Sequence, residues 1–489
     1  MADLCNPPTG RYRLQALLWL LPLWLVCSGV SSAWAASGAP RMLVSDRYQV
    51  EGYQLANGLQ VLLKPGMERG HVAIRLVVGV GFDDFNCAEQ ELPHLLEHLL
   101  FSGLDGTGEG GLEERMQALG GEWNAFTSNS DTTFVIEAPA RNQRKVLDLL
   151  RDILTKTHID AQAFELSRRI VEHEDGGHYS HLQRLLDRQD IGHGAADHLA
   201  TELGLKCAEP SNLAELTLAQ VQAVRTRWYG ANNMTLIIVG DLDRLLPAYL
   251  ERVYGQLPAL EPEGQQQPLL GISHAARAQR TLTTGWLGDG AKLHWYFLEP
   301  AEQEDPPQAL DLLQTYLDWA LYTHLRLEQG LSYGPWSQRD AFGDTGMLSL
   351  NADLDRGDVD KANALLAQWV EELRERGLDP VTFERLKQQA VARQAWATQG
   401  STALADYYWT HLGDYDGGRF SDPAQPLREV TLEQVNRAMR ALFAGPAYVR
   451  VEKPLLGYDD ALALSWALPA LAIVLLGGWA WRRRSRSRR

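Results

Sequence analysis

Two stretches of the chain occur twice, and this duplication constrains the fold more than any other feature. "LTLAQVQAVRTRWYG" (216–230) returns as "VTLEQVNRAMRALFAG" (430–445), an offset of 214 residues. "DAQAFELSRRIVEHE" (160–174) returns as "DPVTFERLKQQAVAR" (379–393), an offset of 219. Chance similarity between amphipathic helices rarely repeats at nearly one offset, so the pattern implies two like-built halves of about 200 residues. Within them strand-like and helix-like blocks alternate: 72–82 and 234–242 read as strands, 142–156 and 161–175 as helices. The Pro-, Gln- and Glu-rich "LPALEPEGQQQP" (257–268) is the natural linker. The expectation is an α+β protein, each half an antiparallel-rich sheet with helices packed on it. The first half covers 44–256, a linker 257–280, and the second half 281–453.

The two ends fall outside this plan. Arg11 and Arg13 precede an apolar stretch, and Ala33-Trp34-Ala35 offers a small-residue cleavage site, so 1–35 reads as an export signal. An uncleaved anchor is the alternative. Near the other end, 462–481 carry no charge and would span roughly 30 Å as a helix, about one hydrocarbon core. The basic tail 482–489 follows and should stay cytoplasmic. Both ends give one topology: a bacterial inner-membrane protein with a periplasmic body. If the apolar segment is instead a cleaved sorting signal, the body is exported. The whole chain carries −16; the tail accounts for +6 and residues 1–35 for +1, which leaves −23 on the body. Such acidity argues against nucleic acid as a partner. Of four cysteines, Cys87 and Cys207 lie in the body. An oxidising compartment permits a bond between them, and no CxxC motif offers a cysteine-built zinc site.

The chemistry concentrates in "ELPHLLEHLLFSG" (91–103). On a helix His94 and His98 project from one face at i and i+4 and can grip one metal ion, for which zinc suits two imidazoles. Glu97 shares that face and is placed to take a proton from water that the metal has acidified; this is the inverted H-x-x-E-H arrangement. A catalytic zinc needs a third protein ligand and an open fourth position. "FELSRRIVEHEDGGH" offers Glu165 and Glu172, two helical turns apart on one face, and Glu174, which that phase points elsewhere. Spacing alone does not choose between Glu165 and Glu172.

With these residues the chain resembles the M16, or pitrilysin-type, zinc peptidases, in a short two-domain form like the mitochondrial processing peptidase subunits. The resemblance spans 45–453. It implies one Zn2+ per chain, held by His94, His98 and Glu172, with Glu165 steadying that shell. Val391 stands in the place of Glu172 in the repeat, so the second half should hold no zinc. "LGGEWNAFTSNSDTTFVIEA" (119–138) is similar to the family's substrate-pairing edge strand, which makes Asn124 and Ala125 substrate contacts. "LRLEQGLSYG" (325–334) is similar to its R-x6-Y element, which gives Arg326 to substrate binding and Tyr333 to the oxyanion. The resemblance thus implies a zinc endopeptidase for short or unfolded peptides, working as a homodimer or as a heterodimer with an M16 relative. The zinc half of one chain would face Arg326 and Tyr333 of its partner. The rival reading is a non-catalytic M16-like scaffold.

Overall fold

A computed structural model of the protein describes residues 46–66, 68–102, 104, 109–174, 194–207, 212–260 and 276–486. The export signal and most of the linker lie outside the described residues.

Two mixed sheets organise the body. The first contains β1 (Glu51–Gln54), β2 (Gln60–Pro65), β3 (His71–Val78), β4 (Glu122–Thr127), β5 (Thr132–Pro139) and β6 (Met234–Gly240), in the order β1-β2-β6-β3-β5-β4. The second contains β7 (Gln279–Thr283), β8 (Gly290–Leu298), β9 (Trp336–Phe342), β10 (Thr345–Asp355) and β11 (Tyr448–Lys453), in the order β7-β11-β8-β10-β9. Apart from β1 the two orders correspond strand for strand. Each has one parallel pair, β2·β6 and β7·β11, with the other pairs antiparallel. The duplicated sequence blocks also start alike. Thr217 and Gln220 form a capping box on the helix Leu218–Trp228, and Thr431 and Gln434 form the same box 214 residues later. Asp160 and Asp379 each accept from the backbone three residues on, Ala163 and Thr382, at the shared offset of 219.

The halves also exchange helices. One face of the first sheet carries its own helices. The opposite face is covered by Ser401–Thr410 from the second half, where Leu404, Ala405 and Tyr408 pack on Leu62, Ala73 and Ile237. Reciprocally Ala195–Leu203, from the first half, sets Ala195 and Leu199 against Leu282, Tyr296 and Met347 of the second sheet. Central strands buried on both faces explain why β3 and β6 read as continuous apolar runs. Each exchange includes a buried arginine. Arg75 of β3 donates to Asp406 of the incoming helix and to Glu137, both at 2.7 Å. Arg450 of β11 donates at 2.6 Å to Glu202 of its incoming helix, which also pairs with Arg280. A guanidinium out of water needs such acceptors.

Cys87 and Cys207 form a disulfide with Cα atoms 5.6 Å apart, closing 120 residues of chain. It ties the loop before the helix Leu92–Ser102 to the end of the exchanged helix Ala195–Leu203. In the chain-entropy account a loop of this length is worth up to about 5 kcal/mol. Cys87→Ser is therefore expected to lose about 2–5 kcal/mol in denaturant unfolding relative to the oxidised protein. A loss below about 1 kcal/mol would mean that the unfolded chain is already constrained there.

Candidate metal centre

The helix Leu92–Ser102 seats its apolar residues Leu92, Leu95, Leu96 and Leu99 in the first core. Proline at its second position suits a first turn, where the missing N–H has no partner to lose. This packing leaves His94 and His98 half-buried on one face, their Nε2 atoms 3.2 Å apart. Glu91, one turn earlier, lies 3.0 Å from Nδ1 of His94. A carboxylate on Nδ1 fixes the ring and its tautomer, leaving Nε2 free to act as a ligand. The ring edge also meets Phe82, at 6.1 Å between centroids.

The third member comes from the helix Ala161–Glu174. Glu174 Oε2 lies 3.3 Å from Nε2 of His94 and 3.2 Å from Nε2 of His98. Three donors about 3.3 Å apart make one face of a tetrahedron whose centre lies roughly 2.0 Å from each, the usual zinc–ligand distance. Two imidazoles and a carboxylate are a borderline-soft donor set that suits zinc. The residues present fit the ion.

This geometry corrects the expectation for Glu172. The inward face of that helix is Phe164, Ser167 and Val171, all buried, and Glu174 continues it at the next i+3 step. Glu172 lies 100° round the helix from Val171 and about 160° from Glu174, exposed, with Glu165 on the same outward stripe. Glu165 pairs with Arg168 at 2.5 Å and steadies no member of the cluster among the described contacts. The stripe Phe164, Ser167 and Val171, continued at Glu174, is the phase that brings this carboxylate to the histidines.

Glu97 is buried on the helix Leu92–Ser102, and its Oε2 accepts a 2.8 Å hydrogen bond from Thr127 Oγ1 at the end of β4. Burial raises its pKa above the ordinary carboxylate range, against the lowering effects of Thr127, His94 and His98; Glu174 adds to the rise. For His94, burial opposes the charged ring, but the Glu91 hydrogen bond and the Glu91, Glu97 and Glu174 charges outweigh it and raise the pKa. Thr127 and Glu91 are site residues that sequence reasoning did not single out.

The other expected residues divide into two groups. Asn124 and Ala125 lie on β4, an edge strand of the first sheet among the described residues and the strand that carries Thr127. Asn124 is exposed, and its Oδ1 accepts from the Ala125 N–H. Arg326 and Tyr333 belong to the second half, where the guanidinium lies 4.3 Å from the Tyr333 ring centroid. Tyr333 is 77% exposed, and neither residue touches the histidine pair among the described contacts.

Residues 61–189 match the family described as Insulinase (Peptidase family M16), and 215–390 match Peptidase M16 inactive domain. The chain belongs to the M16 peptidase family. It is 25% identical over 227 residues to the mitochondrial-processing peptidase subunit beta of Saccharomyces cerevisiae, covering 45% of this chain. The aligned part is 48% of that relative, about half its length. An uncharacterized zinc protease of Mycobacterium bovis is 24% identical over 304 residues, 61% of this chain and 68% of its own. In fold, a protease from Helicobacter pylori superposes with a TM-score of 0.67 at 18% identity, over 83% of this chain and 100% of that one. The inactive-domain match begins before the linker and takes in most of the second half, where no metal-ligand group occurs among the described residues.

Proposed function

We propose that this M16 protein is a zinc-dependent endopeptidase for short or unfolded peptides, with His94, His98 and Glu174 as metal ligands and Glu97 as general base. The observation that carries it is the convergence of three donor atoms beside the buried Glu97 carboxylate. The names of the relatives, a processing peptidase and a zinc protease, support the same reaction class. Zinc bound there would supply Lewis acidity, acidifying water and polarising a peptide carbonyl. Glu97 would take the proton from the attacking water and return it to the leaving amine. The edge strand β4 would receive the substrate backbone as an added strand at Asn124 and Ala125, which fixes the scissile bond beside Glu97. Chelation should abolish hydrolysis of a mixed peptide pool and added zinc should restore it. A zinc-loaded protein that cuts nothing in such a pool would end this reading.

Arg326 and Tyr333 would complete the site from a second copy, Tyr333 donating to the oxyanion and Arg326 holding the substrate. Their exposure and their separation from the histidines support a composite site in a homodimer. The mixture of two weakly active variants, Glu97→Gln and Tyr333→Phe, is then expected to regain activity. Each mixed dimer holds one intact site of two, and random pairing makes half the dimers mixed, so about a quarter of wild-type turnover should return. No recovery after subunit exchange would place both residues in one chain's site.

The helix Tyr458–Arg486 contains an exposed apolar span, Tyr458–Trp479, long enough to cross a membrane. In the proposed topology it anchors the body on the periplasmic side of the inner membrane.

A further inference from the structure

The apolar helix does not leave the body through a free linker. Beyond β7 and β11 the chain continues as a parallel ribbon: Leu455 N–H donates to Gly285 O at 2.9 Å, and Leu456 N–H to Trp286 O at 3.0 Å. Leu287 bridges to Leu456, which sets Trp286 opposite Leu455. Tyr458 N–H then donates to Asp289 Oδ1 at 2.9 Å, and Arg356 pairs with Asp460 at 3.1 Å. The first turn of the helix is therefore fixed to the second half. Around that foot four large side chains are about half exposed: Trp286 50%, Leu287 49%, Leu455 52% and Tyr458 59%. Trp286 and Leu455 stand on one face of the ribbon and Leu287 on the other, and Leu462, one helical turn past Tyr458, begins the exposed apolar surface of the helix.

We propose that Trp286, Leu287, Leu455 and Tyr458 form a lipid-docking collar that holds the Arg326–Tyr333 end of the second sheet against the bilayer. This rests on the reading of the helix as a membrane span. Tryptophan and tyrosine favour the headgroup level, and an apolar patch at the foot of a spanning helix meets lipid before any other partner. Asp289, Asp459 and Asp460 surround the foot, so the docking is apolar and independent of anionic lipid. The collar lies close to Tyr333. Gly290 pairs with Asp355 and Lys292 with Asp353, whose Oδ1 accepts from Gly334 N–H at 3.0 Å and from Ser332 Oγ. Asp289 and Lys292 are three positions apart along the chain, about 10 Å. A cleft of about 490 Å³ beside this strand is lined by Thr284, Gly290, Lys292, Tyr333 and Asp353. The composite site is thereby held at the membrane surface, where it selects peptide segments presented by the bilayer over those in bulk water.

The test uses the full chain in neutral phosphatidylcholine vesicles, with Cys5 and Cys27 replaced by serine and one spin label at Leu287→Cys or Leu455→Cys. Leu245→Cys, exposed on the first half, is the reference. Relative to it, both collar labels are expected to lose collisions with a water-soluble nickel relaxer several-fold and to gain collisions with oxygen, at low and high salt alike. Labels that stay open to nickel, while a protease assay shows the C-terminal tail protected, overturn the collar and leave the span intact. Labels shielded from both reagents mark a protein contact, a second copy included, and overturn it equally. An unprotected tail removes the span itself, and the collar with it. In the same vesicles Trp286→Ser/Leu287→Ser should keep wild-type kcat/KM on a free peptide and lose several-fold on the same peptide tethered to lipid. Equal use of free and tethered peptide by the wild type overturns the substrate preference.

Discussion

Glu97→Gln is expected to lower kcat/KM for peptide hydrolysis by about three orders of magnitude, the range of a lost general base, with zinc content unchanged. Glutamine keeps the volume and can still accept the Thr127 hydroxyl, so the packing around the motif helix is retained. What it cannot do is take a proton. The alternative, that Glu97 merely supports the helix, makes a different forecast. Burial raises the Glu97 pKa, so in metal-free protein the charged carboxylate costs stability above its folded-state pKa, and that cost vanishes below the unfolded pKa. Replacing it with a neutral amide should therefore leave the neutral-pH melting temperature of the apo protein equal or higher. Activity lost with zinc and melting retained would assign Glu97 to chemistry. Activity retained within tenfold would remove it from that role, and a melting temperature several degrees lower would make it structural.

The parts legible in the sequence were those fixed by local rules. The duplication appears as repeated caps, Thr217 with Gln220 and Thr431 with Gln434, because a helix start needs specific side chains within four residues. His94, Glu97 and His98 share a face because helical geometry alone puts them there. The exchange of helices was not legible. Arg75 in an apolar run signals that an acid must come to it, but Asp406 lies 331 residues away and no local pattern names it. Glu202 and Arg450, 248 residues apart, pose the same problem. The Cys87–Cys207 bond stayed open for a related reason, since it depends on where Ala195–Leu203 packs rather than on either cysteine's neighbours.

Glu174 separates the two ways of reading that helix, and its substitution tests them against each other. Glu174→Gln is expected to weaken zinc binding by at least about 100-fold, more than loss of an outer partner, which costs 10–100-fold. Peptide hydrolysis should fall with it at trace zinc. Glu172→Gln should change neither by more than about twofold, as an exposed substitution away from the site. Helical phase separates the two glutamates. Phe164, Ser167 and Val171 are buried because they face the motif helix and its core, and a side chain three residues past Val171 emerges over the histidines. Glu172 is turned to water by the same packing. Competition with a chromogenic zinc chelator measures both variants directly, without an assumed substrate. If Glu172→Gln released zinc and Glu174→Gln held it, the end of the helix would have to rotate by about 160° on metal binding, two residues' worth of phase. The buried stripe would then be broken, at the cost of burying Glu172 and exposing Val171. That cost is why the inward phase favours Glu174 over Glu172 as the third donor.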